Sequence, residues 1–316
     1  MPPQPADATD PLSTARVRAI RRALLAWGDE HGQDFPWRDA RNPYWALVAA
    51  VASQQTQMSR VLPTWERWIA AFPTLADAAA ADRASVLRVW AGAGYPRRAL
   101  ALRETAAICT AQHGGALPRE PEALLALPGV GPFTAAIVRC FGWGDDGAAI
   151  DTNVVRVLGR LVHGDVQPAL ETSPTTIRAS AERLLPPGEA GRWNAALMDY
   201  GAQVCTPRPR CEPCAVARLC AARPRFEAGA QATPVRAQGA FNGSDRQWRG
   251  RILRALRQSD GPVVTAKLIR GLASDAEEAA RARRLLRALC AEGLAWQRGA
   301  RCGLGDPPVA GDKPPR

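Results

Sequence analysis

The side chains best suited to chemistry lie in two stretches of the sequence. Cys205, Cys211, Cys214 and Cys220 follow the spacing Cys-x5-Cys-x2-Cys-x5-Cys, four thiols within sixteen residues. In a reducing compartment so dense a group predicts a thiolate metal site and not disulfides. Structural zinc usually arrives as two close pairs, whereas here one Cys-x-x-Cys is bracketed by outlying cysteines, which favours a [4Fe–4S] cluster over zinc. The other cysteines, Cys109, Cys140, Cys290 and Cys302, are scattered and read as buried thiols. The second stretch runs Leu127-Pro-Gly-Val-Gly-Pro-Phe-Thr-Ala135 and then, after a gap, Asp151-Thr-Asn153-Val-Val-Arg156. Gly129 and Gly131 flank Val130, so a turn there can expose consecutive backbone N–H groups, and the helix through Thr134 aims its positive end at the same place. That is an anion grip with no side-chain charge, followed by a carboxylate. An ordinary helix-to-helix turn would carry the same Pro-Gly-x-Gly, so the later residues decide between the two readings.

The elements that must position these groups are helical. Ser13 can cap a helix with Val17, Ile20, Leu24 and Trp27 on one face. Phe35-Pro36-Trp37-Arg38 breaks the chain, and Pro43-Tyr44 starts an apolar helix that ends in the polar tip Ser53-Gln54-Gln55-Thr56-Gln57. Amides and hydroxyls at a helix end suit either solvent or the base edges of a duplex. Further helices are predicted over 62–71, 83–91, 96–111 and 120–125, with Ala-Gly-Ala-Gly-Tyr95-Pro as a tight loop between the second and third of these. Nothing before Cys220 alternates like a strand, so this part of the chain is expected to be all-α.

Composition agrees with a nucleic-acid partner. The 316 residues carry a formal charge of +11 with a pI of about 10.0, which favours a polyanion. Of 41 basic residues only Lys267 and Lys313 are lysine, so no side-chain amine is available for Schiff-base chemistry before Lys267. No apolar run approaches the roughly 20 residues of a membrane span, and the first residues are polar without a hydrophobic signal region. A cytoplasmic, nucleoid-associated bacterial protein is expected.

Taken together, Trp37-Arg38, the Gln54-Gln55-Thr56-Gln57 tip, the Leu127–Ala135 hairpin, Asp151-x-Asn153-Val154-x-Arg156-Val157, Asn194-x-x-Leu197-Met198-Asp199-x-Gly201 and the four cysteines resemble the MutY-type adenine DNA glycosylases over about residues 14–222. The resemblance implies an all-α helix-hairpin-helix DNA glycosylase fold, a six-helix barrel plus a [4Fe–4S] domain, acting on a nucleotide flipped out of double-stranded DNA that holds a mispaired or damaged base. On the matching positions it implies that Asp151 stabilises the sugar cation with Asn153 in support, and that Gly129, Val130, Gly131, Phe133 and Thr134 hold a phosphate. It also implies that Gln54, Gln55, Thr56 and Tyr95 meet the vacated stack, that Arg38 belongs to the DNA-binding set, and that Cys205, Cys211, Cys214 and Cys220 bind the cluster.

The sequence departs from the family where the leaving base needs an acid. A MutY-type enzyme places a glutamate four residues before the first glutamine of the tip, and that position here is Ala50; no Asp or Glu occurs from Pro43 to Arg60. Phe133 stands where the family often has a hydroxyl. Three activities fit: monofunctional hydrolytic removal of adenine opposite 8-oxoguanine or guanine, slowed by the loss of general-acid help; removal of bases that leave without protonation, such as alkylated purines; or lesion binding with little or no catalysis. Lyase chemistry is not expected, because Pro132 and Phe133 occupy the neighbourhood where the related endonuclease III type has a lysine.

The expected domain plan is a disordered start over 1–12, the glycosylase domain over 13–222 with its iron–sulfur loop at 205–220, a linker over 223–243, a winged-helix-like domain over 244–305 and a disordered tail over 306–316. In the small domain helices are predicted around 248–258, 265–272 and 275–292, before a hairpin at Leu294–Arg298 and Arg301–Leu304. Lys267, Arg270 and the wing arginines are its candidate DNA contacts. The protein is expected to act as a monomer, with downstream base-excision-repair proteins as possible partners.

Overall fold

A computed structural model of the chain describes residues 11–232 and 240–308. Its helices are, in order, α1 (Thr14–His31), α2 (Pro36–Asp39), α3 (Pro43–Ser53), α4 (Met58–Ala71), α5 (Leu75–Ala80), α6 (Arg83–Val89), α7 (Arg97–Gln112), α8 (Pro121–Leu125) and α9 (Pro132–Ile137). Then follow α10 (Thr152–Leu158), α11 (Pro168–Glu171), α12 (Pro174–Leu184), α13 (Ala190–Gln203), α14 (Arg223–Glu227), α15 (Asp245–Arg257), α16 (Thr265–Leu272) and α17 (Ala276–Ala291). The all-α expectation up to Cys220 holds among the described residues. The sequence pattern missed the wide π-helical turns that extend α9 over Val138–Trp143 and α10 over Gly159–His163.

The described residues form two compact units, one from 11–47 with 130–232 and the other from 48–129 with 240–308. The first is built around α1, α10, α12 and α13. Ser13 caps α1 as expected, and Val17, Ile20, Leu24 and Trp27 meet Val154, Leu158, Trp193, Leu197 and Tyr200 in one core. Glycine sets the closeness of α10 and α13: a Cβ on Gly201 would lie 2.6 Å from the Cβ of Asn153, so any side chain there would push the two helices apart. The interval expected to be a linker departs from that reading at its start. Residues 223–227 form α14, and Phe226 lies under the Arg160 guanidinium at 4.8 Å.

The second unit contains α4 to α8 and the small C-terminal fold. That fold has the order α15, β1 (Val263–Val264), α16, α17, β2 (Ala295–Arg298), β3 (Arg301–Leu304), with an antiparallel sheet ordered β1-β3-β2. This is winged-helix topology, with the Arg298–Arg301 hairpin as its wing. β1, two residues long, is too short to leave a period-2 signal in the sequence. The small fold has no separate core: Leu87 of α6 packs into the cluster of Trp248, Ile252, Leu286 and Leu289, with Ala84 and Leu100 against its edge. Gly305 lies so near the α6 backbone that an added Cβ would come 2.5 Å from the Ala84 nitrogen, and Asp306 takes a 2.9 Å salt bridge from Arg83. The tail expected from 306 is thus tied down at its first residue, and 309–316 lie outside the described residues, as do 1–10 of the expected disordered start.

Candidate active site and thiol centre

Asp151 is the N-cap of α10. One carboxylate oxygen accepts the Val154 N–H at 2.7 Å, and the other accepts Asn153 Nδ2 at 2.9 Å. Asn153 Oδ1 accepts Arg156 Nη2 at 2.6 Å, while Arg156 also donates to the Cys205 carbonyl at 2.6 Å and the Gly201 carbonyl at 2.6 Å. A continuous polar chain thus joins the carboxylate to the backbone of the first cysteine. Burial pushes the Asp151 carboxyl above its ordinary value, against the hydrogen bonds from Val154 and Asn153 and the charge of Arg156, which favour the anion. Burial likewise lowers Arg156, while the nearby Cys205 and Asp151 favour its charged form. The loop before Asp151 is held by Asn194, whose amide accepts from Ala149 N–H at 3.0 Å and donates to the Gly147 carbonyl at 2.8 Å.

The four cysteines line one cavity of about 30 Å³, with Arg160, Tyr200, Val204 and Phe226 among its walls. Arg160 is 2% exposed and donates to the carbonyls of Thr206 at 2.6 Å and Pro207 at 3.1 Å, and to Cys205 Sγ at 3.6 Å. The Tyr200 hydroxyl lies 2.8 Å from Cys214 Sγ. Burial raises the thiols of Cys205, Cys211 and Cys220, the last to about 11, while Arg160 and Arg156 pull Cys205 back down. An apolar hollow ringed by four thiols and a buried guanidinium suits an anionic metal–thiolate group. Among the described residues no three His, Cys, Asp or Glu side chains converge to hold a single metal ion.

In the second unit α3 ends in the expected polar tip. Residues 46–52 of this helix are all no more than 3% exposed, Ala50 among them, and Ser53 Oγ donates to the Ala50 carbonyl at 2.8 Å. Gln55 is exposed and left-handed at φ 54°, and Tyr95, 46% exposed, is left-handed at φ 45°. Such backbone costs a non-glycine residue on the order of 1–2 kcal/mol, so something must hold it. Arg98 does. Its guanidinium donates to the carbonyls of Val51 (2.9 Å), Ala52 (3.0 Å) and Gln54 (2.5 Å) on the tip side, and Ala93 (3.1 Å) and Gly94 (3.2 Å) on the loop side. It also donates to Thr56 Oγ1 at 2.9 Å and lies over the Trp90 and Tyr95 rings at 5.5 and 5.1 Å. Burial lowers its pKa to about 10. Nothing in the sequence marks this role, because one arginine among 39 looks like the rest.

The hairpin turn forms at Gly129, φ 77°, and Gly131 is the N-cap of α9 with Pro132 at its first position. Thr105 holds the Pro128 carbonyl at 2.9 Å and Gln54 Nε2 holds that of Gly129 at 3.3 Å. Val130 and Thr134 are buried and Phe133 is half-buried, so the side chains of Val130 and Thr134 face the protein and only backbone amides there suit a phosphate. Arg38 departs from its expected place among the DNA contacts: its guanidinium forms a two-point bridge with Asp199 at 2.7 and 2.9 Å and also donates to the Gln33 carbonyl at 2.6 Å. Asp199 further accepts the Gln33 N–H at 2.9 Å. A nearly buried, doubly bonded ion pair fixes the α1–α2 corner to α13 and leaves little for a phosphate.

Comparison with known proteins agrees with this geometry. Residues 48–187 match the family model described as HhH-GPD superfamily base excision DNA repair protein. The adenine DNA glycosylase of Mycolicibacterium smegmatis is 41% identical over 248 residues, covering 78% of this chain and 83% of the relative. A thymine/uracil-DNA glycosylase of Methanothermobacter thermautotrophicus is 30% identical over 212 residues, covering 66% of this chain and 96% of the relative. Among solved structures, a thermostable thymine-DNA glycosylase superposes with a TM-score of 0.63 at 29% identity, covering 67% of this chain and 98% of its own.

Proposed function

The chain belongs to the adenine DNA glycosylase family of base-excision-repair DNA N-glycosylases, and from that premise we propose that it removes mispaired adenine, opposite 8-oxoguanine or guanine, by hydrolysing the N-glycosidic bond. The observation that carries the proposal is the placement of Asp151. N-glycosidic cleavage passes through an oxocarbenium-like state, and a carboxylate beside the sugar stabilises the developing positive charge. Asp151 is buried yet accepts two hydrogen bonds, which orients its oxygens and keeps an anion available despite desolvation. The hairpin amides would grip a phosphate, and Gln55 and Tyr95 would meet the gap left by the flipped nucleotide. The product is an abasic site without strand scission, because no lysine precedes Lys267.

One observation favours a second reading. α3 offers only Ala50 where the leaving base would be protonated, and it carries no carboxylate. A base that is already cationic before the bond breaks, such as an alkylated purine, leaves as a neutral molecule and needs no such acid. The two readings separate on a panel of duplexes holding adenine opposite 8-oxoguanine, adenine opposite guanine, alkylated purines, uracil and thymine mispairs, scored for abasic sites beside an Asp151→Asn control. Excision of mispaired adenine that the control loses supports the first reading; excision confined to alkylated purines supports the second. Binding without excision in both proteins rejects the enzyme reading. An efficient borohydride trap on residues 1–266 would overturn the monofunctional assignment.

Cys205, Cys211, Cys214 and Cys220 would hold a [4Fe–4S] cluster, whose bonds to four thiolates would cross-link the 205–220 loop. The fit rests on four thiols around one hollow and on Arg160 and Arg156, cations placed to balance thiolate charge. Iron and sulfide content with the visible absorption of anaerobically purified protein, against Cys214→Ser, tests it. We also place the protein in the cytoplasm on duplex DNA; no helix among the described residues is long and apolar enough to cross a membrane.

A further inference from the structure

Most acidic side chains of the C-terminal fold are engaged away from the wing, while Asp275 caps α17 and Glu277 lies exposed in its first turn. Asp245 pairs with Arg281 and Arg284, Glu292 pairs with Arg249, and Glu278 accepts from Ser274. On another side, Arg283 and Arg287 of α17 line a groove of about 310 Å³ together with Gln297, Thr265 and the wing backbone at Gly299 and Ala300. No carboxylate lines it. Ala276 and Ala280 continue the same helical strip as Arg283 and Arg287, at i, i+4, i+7 and i+11, and all four are exposed. The strip therefore begins with small residues, which let a helix backbone come close to a surface, and ends with two long cations.

The wing adds a second, independent sign. Arg298 and Arg301 face each other directly in the β2–β3 ladder, both exposed. Like charges in that position repel and weaken a hairpin unless an anion lies between or over them. None of these four arginines has an ion-pair partner among the described residues.

We propose that α17 and the wing form a duplex-DNA docking face, in which Arg283, Arg287, Arg298 and Arg301 contact phosphates along a groove entered by the Ala276–Ala280 end of the helix. The inference rests on the DNA-repair reading of the chain, not on which base it removes. It shifts the expected contacts: Lys267 and Arg270 of α16 do not line the groove. A helix beside a two-stranded wing matches the width of a major groove with its adjacent backbone, and arginine suits phosphate through its planar, two-point donors. Because the fold shares its core with α6, the docking face is part of the unit that carries Gln55 and Tyr95, so a grip on DNA here bears on that same unit.

The test uses the full chain and an undamaged long duplex, with fluorescence anisotropy across a salt series. Arg283→Ser with Arg287→Ser, and Arg298→Ser with Arg301→Ser, should each lower the slope of log affinity against log salt by about 2 and weaken binding about tenfold at moderate salt. The Arg→Lys versions of both pairs should retain most of the slope, which separates phosphate contact from a packing defect. An unchanged slope in the fourfold serine variant, with an unchanged melting temperature, overturns the proposal. Loss of poly-glutamate binding with the duplex slope intact also overturns it and assigns the face to an acidic polypeptide. Excision is not read in this experiment: a chain inert toward every base would still show the slope difference, and one that excises adenine without it refutes only the docking face.

Discussion

Two regions of this protein treat polar chemistry in opposite ways. Around Asp151 the chain buries a carboxylate and surrounds it with donors, in a relay through Asn153 and Arg156 to the Cys205 carbonyl. Along α3 it buries alanine, valine and leucine, and the Arg98 guanidinium caps the helix carbonyls at its end. The two jobs of glycosidic cleavage, stabilising the sugar cation and neutralising the departing base, are thus unequally provided for. A buried charge needs its partners built in, and only the first job has them.

The most direct way to break the comparison is Asp151→Asn, expected to reduce excision by at least about 10²-fold, the scale set by removing one preorganised electrostatic partner. The same change should raise the melting temperature at neutral pH. Burial lifts the folded-state pKa of Asp151 above its unfolded value, so ionisation opposes folding there. The gain should shrink as pH falls into the ordinary carboxylate range, where the native carboxyl is already protonated. A thermal melt of the variant that is lower than wild type at neutral pH would contradict this sign.

Ala50→Glu asks whether the apolar region alone limits the rate. Single-turnover excision of adenine should rise by about 10- to 10³-fold, within the range of general-acid assistance, at some cost in stability from a carboxyl placed in a helix this buried. No gain on adenine, with excision of alkylated purines reduced, would favour the second reading of the substrate.

Arg98→Met sharpens the other side of the contrast. With the guanidinium gone, the carbonyls of Val51, Ala52, Ala93 and Gly94 lose their shared donor, and unfolding free energy should fall on the order of 3 kcal/mol. The larger sign is conformational: Gln55 and Tyr95 should relax from their left-handed backbone, seen as weaker fluorescence of 2-aminopurine placed beside the lesion even at saturating protein. Intact flipping in a destabilised variant would show that Arg98 serves only packing.

The smallest effect is in the pH profile. Excision needs Asp151 ionised, so activity should rise with pH along an acid limb displaced upward from that of an ordinary aspartate. Arg156→Gln removes a nearby charge that favours the anion, and should move that limb to still higher pH. A limb that stays in place would mean that a group other than Asp151 controls it.

Much of this was legible in the sequence, because it depends on residues close together in the chain. The cysteine spacing, the turn at Gly129, the cap at Asp151 and the lack of any carboxylate from Pro43 to Arg60 are local facts that folding does not alter. The winged-helix order could be read from three amphipathic helices and a Gly-centred hairpin. The tertiary structure decided which arginines act. Arg38 faces Asp199, Arg98 bridges two loops, Arg156 reaches Cys205, and Arg283 and Arg287 line a groove with no carboxylate among its described residues. In a chain with 39 arginines the side chain itself carries no label. Its role is set by desolvation and by carbonyls and carboxylates from distant segments, as is the shared core between Leu87 and the C-terminal helices, and only packing brings those together.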